Sequence, residues 1–326
     1  IPRKLASYRT FNFNIGNGFQ YFDTLFDAIA GYPDAFQGVI EGLQMDPFGP
    51  QVNVEEEFIK HLGRRVTLVT DYEVPITTKS ERFLFVVEVS DAQAVSAAIA
   101  KFMEVDQHAY KLDVDGVTVW EIREPADEFP ELEFGGELDP LAPAPHAAPA
   151  EGGHGGAGNL VRNSAVCVFD NHLLIASHLG FLKSALANSP SNETLAAAGD
   201  YHEVEAAMSQ LLDGPAAVRC FVRTDEAYRP TYELLRQGKM PESETLLGRF
   251  LNRLLTAPED EDEGVLRKQK IDGRQLPSFE MVRRYFSPAG AIVRSDEDGW
   301  FVVGATLSKR DPQARAGRLI DEQTRR

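Results

Sequence analysis

Apolar residues recur every three or four positions in the first stretch of the chain, and at every second position in much of the remainder. Phe19, Phe22, Phe26 and Ile29 share a helical face, as do Phe36, Val39, Ile40 and Leu43. Gly31, Tyr32 and Pro33 part the two helices, and the turn residues of "DPFGPQ" end the second. Asn53 is placed to cap "VEEEFIKHL", whose three glutamates suit the positive end of a helix dipole, and Gly63 supplies a stop. Phe11, Phe13 and Ile15 alternate as in a strand that completes a sheet edge.

The period then shortens to two. "RRVTLVT" and "RFLFVVEV" read as strands, the second apolar on both faces over residues 83–87, as a central strand is. Asp91 caps the helix "AQAVSAAIAKFM", and "AYKLDV" and "VTVWEI" flank the hairpin signal Asp115-Gly116. A similar order returns further on. "SAVCVFD" turns at Asp170-Asn171 into "HLLIAS", and a helix comes next with Leu179, Leu182 and Leu186 on one side. A second helix carries Tyr201, Val204, Met208 and Leu211, and "AAVRCFVRT" is the next strand. Helices around 228–235, 246–255 and 279–286 precede a last hairpin, "AIVRS" and "WFVVGATL", which turns at Asp296 to Gly299.

The pattern predicts an α+β fold, mainly antiparallel sheet with helices packed on one face, in two similar halves. The halves span 1–138 and 159–308. Between them 139–158 is a Pro/Ala/Gly loop, and 309–326 is a polar tail. The loop composition buries too little apolar surface to offset its ordering entropy. It reads as an excursion between strands of one sheet system, with an interdomain hinge as the alternative.

Composition narrows the classes of partner. Fifty acidic against 33 basic residues leave a net charge of −17, a surface that repels phosphate backbones and anionic lipid heads. Nucleic acid is therefore not expected as a partner, and no apolar run reaches the 18 residues of a membrane span. Cys167 and Cys220 sit in apolar, strand-like runs and read as buried free thiols, a disulfide between neighbouring strands being the alternative. The first residue is Ile1 rather than Met, which reads as a processed or internal start.

Candidate chemistry is sparse. His146 and His154 lie eight residues apart on the glycine-rich loop, without a structural zinc spacing. "GGHGGAG" lacks the Lys-Ser/Thr ending of a phosphate loop, and the acidic run 259–263 lacks the glycine and oxygen spacing of a calcium loop. Ser177 and His178 are adjacent without elbow glycines or a third partner, and His178 suits a helix start. His61 reads as a favourable charge at a helix C-terminus, and His202 lies on a helix. The aromatic density of "YRTFNFNIGNGFQYF" is explained by packing, or by a groove for a ligand or partner. No catalytic, cofactor or metal site is assigned from these residues.

The stretch "GPQVNVEEEFIKHLGRRVTLVTDYEVPITTKSERFLFVVEV", with "HLLIASHLGFLKSAL" and "SPAGAIVRSDEDGWFVVG", resembles a family of large planctomycete proteins labelled as membrane or secreted proteins. It is similar as well to a wider bacterial family of secreted proteins of unknown function. The resemblance implies an extracytoplasmic location, in the periplasm, envelope or medium, and a signal peptide in the precursor. It brings no catalytic residues. The expectation is a non-enzymatic protein with a binding or scaffolding role toward a protein or small-molecule ligand; the alternative is a hydrolase assembled from scattered residues.

Overall fold

A computed structural model of the chain describes residues 1–123, 164–187, 194–239 and 272–308. The His146 and His154 loop, the acidic run 259–263, the helix expected at 246–255 and the tail from 309 lie outside the described residues.

Among the described residues ten strands form one sheet, and every pairing is antiparallel. They are β1 (Ser7–Asn12), β2 (Leu62–Tyr72), β3 (Glu81–Val89), β4 (Ala109–Val114), β5 (Val117–Ile122), β6 (Ala165–Phe169), β7 (His172–Ala176), β8 (Val218–Val222), β9 (Ala289–Asp296) and β10 (Gly299–Thr306). Their spatial order is β10-β9-β8-β1-β2-β3-β7-β6-β5-β4. The strands of the two predicted halves thus interleave: β3 pairs with β7, and β1 with β8. Strand β1 lies inside the sheet rather than at the expected edge, because its Tyr8 and Thr10 meet partners on both sides.

The helices are α1 (Ile15–Gln20), α2 (Phe22–Ala30), α3 (Ala35–Met45), α4 (Ala92–Val105), α5 (Leu179–Leu186), α6 (Gly199–Leu211), α7 (Thr224–Ala227), α8 (Arg229–Gln237) and α9 (Phe279–Val282). They do not share one face. On β6, Ala165 and Cys167 point into the core that holds Phe181 and Leu182 of α5 and Val204 and Met208 of α6. Val166 between them points into the core that holds Val95 and Ile99 of α4. Alternation along a strand puts neighbours on opposite faces, so α4 covers one side and α5 and α6 the other.

That placement corrects the one-face expectation and bears on the halves. The rotation that exchanges antiparallel neighbours within a sheet runs normal to it and leaves each face on its own side. Helices succeeding the hairpins β2–β3 and β6–β7 would share a face if the halves superimposed. They do not. Their orders diverge as well: α4 leads into the hairpin β4–β5, whereas α5 is followed by a further helix, Gly199–Leu211, and then β8.

Local chemistry explains most boundaries. Asp115 and Gly116, like Asp170 and Asn171, have positive φ at both turn positions, the backbone of the favoured type I′ two-residue hairpin. Asn53 and Asp91 accept the amides of Glu56 and Ala94 as N-caps. The expected helix after Asn53 is instead a π-helical turn, Val54–Phe58, and then a 3₁₀ turn, Ile59–His61. Gly63 lies within β2 and ends no helix; a Cβ there would sit 2.7 Å from Cβ of Glu88 on β3. Close approach of two strands, not helix termination, requires this glycine.

Candidate functional site

At one end of the sheet the ends of β2 and β8 and the start of β3 meet the segment before β1 and the starts of α6, α7 and α8. Together they enclose a cleft of about 1280 Å³. Eighteen residues line it, six of them cationic: Arg3, Lys4, Arg82, Arg223, Arg229 and Arg283. That is one in three, against 33 basic residues in a chain of 326. Five carboxylates accompany them, so the lining carries one net positive charge inside a protein of charge −17.

Most of these charges hold one another in place. Arg223 donates through Nε and a terminal nitrogen to Asp200 at 2.6 and 3.0 Å, and its other nitrogen reaches the carbonyls of Arg3 and Leu5. It ties the N-terminal segment to the first turn of α6. Burial acts to raise the Asp200 carboxyl, but Arg223 and the backbone amides of Asp200 and Tyr201 together hold it below its usual range. Arg82 reaches Asp71 at 2.8 Å and Glu73 at 2.7 Å, and lies 5.0 Å from the centre of the Phe181 ring. Burial nevertheless raises the Asp71 carboxyl above its usual range, more than Arg82 and the nearby backbone lower it. Arg283 bonds Asp225 at 3.1 Å and Glu226 at 2.5 Å.

Arg229 differs. Its terminal nitrogens find Oη of Tyr72 at 3.3 Å and Glu280 at 3.4 Å, both long for a guanidinium. Its Nε is buried without an acceptor among the described residues. The guanidinium lies 5.9 Å from the Tyr72 ring centre and 5.7 Å from that of Phe279, within cation–π reach of both. Tyr72 itself donates its hydroxyl to Glu226. Burial and that hydrogen bond push its pKa up to about 12, so the phenol stays protonated. Lys4 also lines the cleft and makes no ion pair among the described residues.

The residues weighed from sequence fall elsewhere. Ser177 and His178 are brought together, Oγ to Nδ1 at 2.8 Å. Ser177 is buried, however, and accepts the amide of Phe83 at 2.9 Å. The pair joins the end of β7 to β3. His178 precedes α5 as expected, and burial pulls its pKa below the usual histidine value. His61 ends the 3₁₀ turn and its carbonyl receives Ser90; His202 lies on α6 beside Tyr201. The aromatic stretch forms a separate cluster, with Phe19, Phe22 and Phe26 around Phe36 at 5.4 to 5.6 Å.

Both cysteines are free thiols. Cys167 on β6 belongs to the α5–α6 core, where burial pushes its pKa up to about 12. Cys220 lies on β8, with β7, β3, β2 and β1 between the two strands, so the alternative of a disulfide falls away. Among the described residues no three His, Cys, Asp or Glu side chains are grouped to hold a metal ion. No helix of these residues is long and apolar enough to cross a membrane.

None of the cleft residues was singled out from the sequence. Their partners are remote in the chain: Tyr72 with Glu226, Arg223 with Leu5, Arg283 with Asp225. The one local signal was "VRTDEAYR", where cations and carboxylates alternate beside a strand end. Comparison with protein-family models, curated proteins and solved structures finds no match to this chain.

Proposed function

We propose that this chain is a binding protein whose cleft captures an anionic ligand, with Arg229 and Lys4 as its anchors. The observation that carries the reading is Arg229. A guanidinium near two rings, with long hydrogen bonds and a spare buried donor, is oriented for a better acceptor than the protein supplies. A carboxylate or phosphate oxygen is that acceptor. Arg223 and Arg283, already engaged, and Arg82, whose terminal nitrogens are paired while its Nε has no acceptor among the described residues, form the walls around it. The five carboxylates favour a ligand that also offers hydrogen-bond donors, such as hydroxyls or an amine, over a bare polyanion.

The resemblance to secreted and envelope proteins supports an extracytoplasmic site of action. A binding role there requires a shaped, charged pocket and no nucleophile. Ser177 fits this reading, since its oxygen is buried and taken up by the Phe83 amide.

The test is a thermal-shift series on the intact chain with phosphate, citrate, a sugar phosphate and uncharged sugars, at fixed ionic strength. At least one anion should raise the melting temperature of the parent and not of Arg229→Met. Equal shifts in parent and variant, or shifts with the uncharged sugars alone, would refute the anionic reading.

A further inference from the structure

The two edges of the sheet are built differently. Strand β4 is six residues long and carries Lys111 and Asp113, both exposed, charges of the kind that keep a foreign strand away. Strand β10, "GWFVVGAT", is eight residues long with no charge and no proline. Trp300 is 82 % exposed, Phe301 51 % and Val302 62 %. Among the described residues no strand lies beyond it.

The register shows which backbone groups are open. Gly299 pairs with Asp296 across a two-residue turn, and Leu307 donates its amide to Pro288, which continues the same register. Hydrogen-bonded pairs alternate along an antiparallel ladder, so the odd-numbered residues of β10 bond to β9. The amides and carbonyls of Trp300, Val302, Gly304 and Thr306 therefore point outward.

We infer that β10 is a homodimer interface, pairing antiparallel with β10 of a second copy about a dyad at Val303. Only even-numbered residues can exchange hydrogen bonds across the new seam. A dyad at Val303 satisfies this and matches large side chains to small ones. Trp300 faces Thr306, Phe301 faces Ala305 and Val302 faces Gly304, each pair occurring twice. Glycine and alanine opposite the bulky residues give space that a strand of uniformly large side chains would not. The dyad also separates like charges, which matters at a net charge of −17. The acidic turns at Asp298 fall at opposite ends of the seam, roughly 34 Å apart at about 3.4 Å per residue. That is several Debye lengths at physiological salt. A second copy thus fits both the side-chain sizes and the charge of this edge. The two sheets join into one.

Light scattering on the eluting full chain should give twice the 36.1 kDa chain mass. Val302→Lys places two ammonium groups near each other across the seam and should return the chain mass, with the circular dichroism of the parent. Val303→Cys sets two thiols at a non-hydrogen-bonded pair on the dyad. Mild oxidation should then link dimers that the parent, with its own Cys167 and Cys220, does not form. Should Val302→Lys fail to fold, the crosslink decides alone. A monomeric parent at tens of micromolar, a dimer indifferent to Val302→Lys, or Val303→Cys that does not crosslink overturns the proposal.

Discussion

The interior around Phe221 and the cleft around Arg229 bury side chains by opposite means. Phe221, Leu84, Val69 and Met208 are all but inaccessible and meet other apolar groups from the sheet, α5 and α6. Their burial needs no particular partner, only volume and shape. In the cleft, Asp225, Arg82 and Tyr72 leave water only because each finds an opposite charge or acceptor. Desolvation opposes the second arrangement, so it contributes less net stability and more geometry. The interior holds the fold, and the cleft holds a set of directions in space.

This difference sets what each region should lose on substitution. Phe221→Ala should cost about 3–5 kcal/mol in urea unfolding, the usual range for a buried phenylalanine. A loss below roughly 1 kcal/mol would mean that the α6 face of the sheet is not the core. Asp225→Asn should cost less, about 1–3 kcal/mol, since Arg283 keeps Glu226 when its buried partner is neutralised. An effect as large as that of Phe221→Ala would make the cleft the fold's foundation and abolish the contrast.

Ser177→Ala separates joint from nucleophile. It leaves the Phe83 amide without its acceptor and should cost about 1–2 kcal/mol. If the variant kept full stability and lost a hydrolytic activity shown by the parent, the hydrolase would displace the binding protein.

Acid should act on the cleft more than on the interior. Asp200 has a folded pKa below its unfolded value of about 3.8, so its contribution is present above that value and is lost as pH falls through the folded one. Asp71 has the opposite sign: its raised pKa favours the folded state at low pH, and that advantage fades as pH rises through the folded value. In Asp200→Asn the acid-side decline of stability should be shallower than in the parent. An unchanged decline would show that the Asp200 pKa is not lowered in the folded chain.

How far the sequence reveals each region comes down to the same contrast. Apolar burial repeats with the period of the element, so β3, α4 and the hairpins β4–β5 and β6–β7 could be read directly from "RFLFVVEV", "AQAVSAAIAKFM", Asp115-Gly116 and Asp170-Asn171. Strand order carries no such period. Nothing in "SYRTFN" says that β1 will lie between β2 and β8, or that α4 and α5 will take opposite faces. The cleft was least legible because a paired charge and a solvated one look alike in sequence. Tyr72 and Arg229 lie 157 residues apart, and only the completed sheet brings them together.

Arg229→Met should have the smallest effect on stability, under about 1 kcal/mol, because its hydrogen bonds are long, Tyr72 keeps Glu226, and Glu280 is exposed to water. Its effect on binding should be the largest. The most direct measurement is therefore an NMR titration of the arginine Nε–H resonances of the intact chain with phosphate and with citrate, the Arg229 signal being assigned from its absence in Arg229→Met. The Arg229 resonance should shift saturably with at least one of the two anions, while that of Arg223, satisfied by Asp200 and two carbonyls, moves little. Saturable shifts confined to arginines outside the cleft, or no saturable shift with either anion, would contradict the anion-binding role of Arg229.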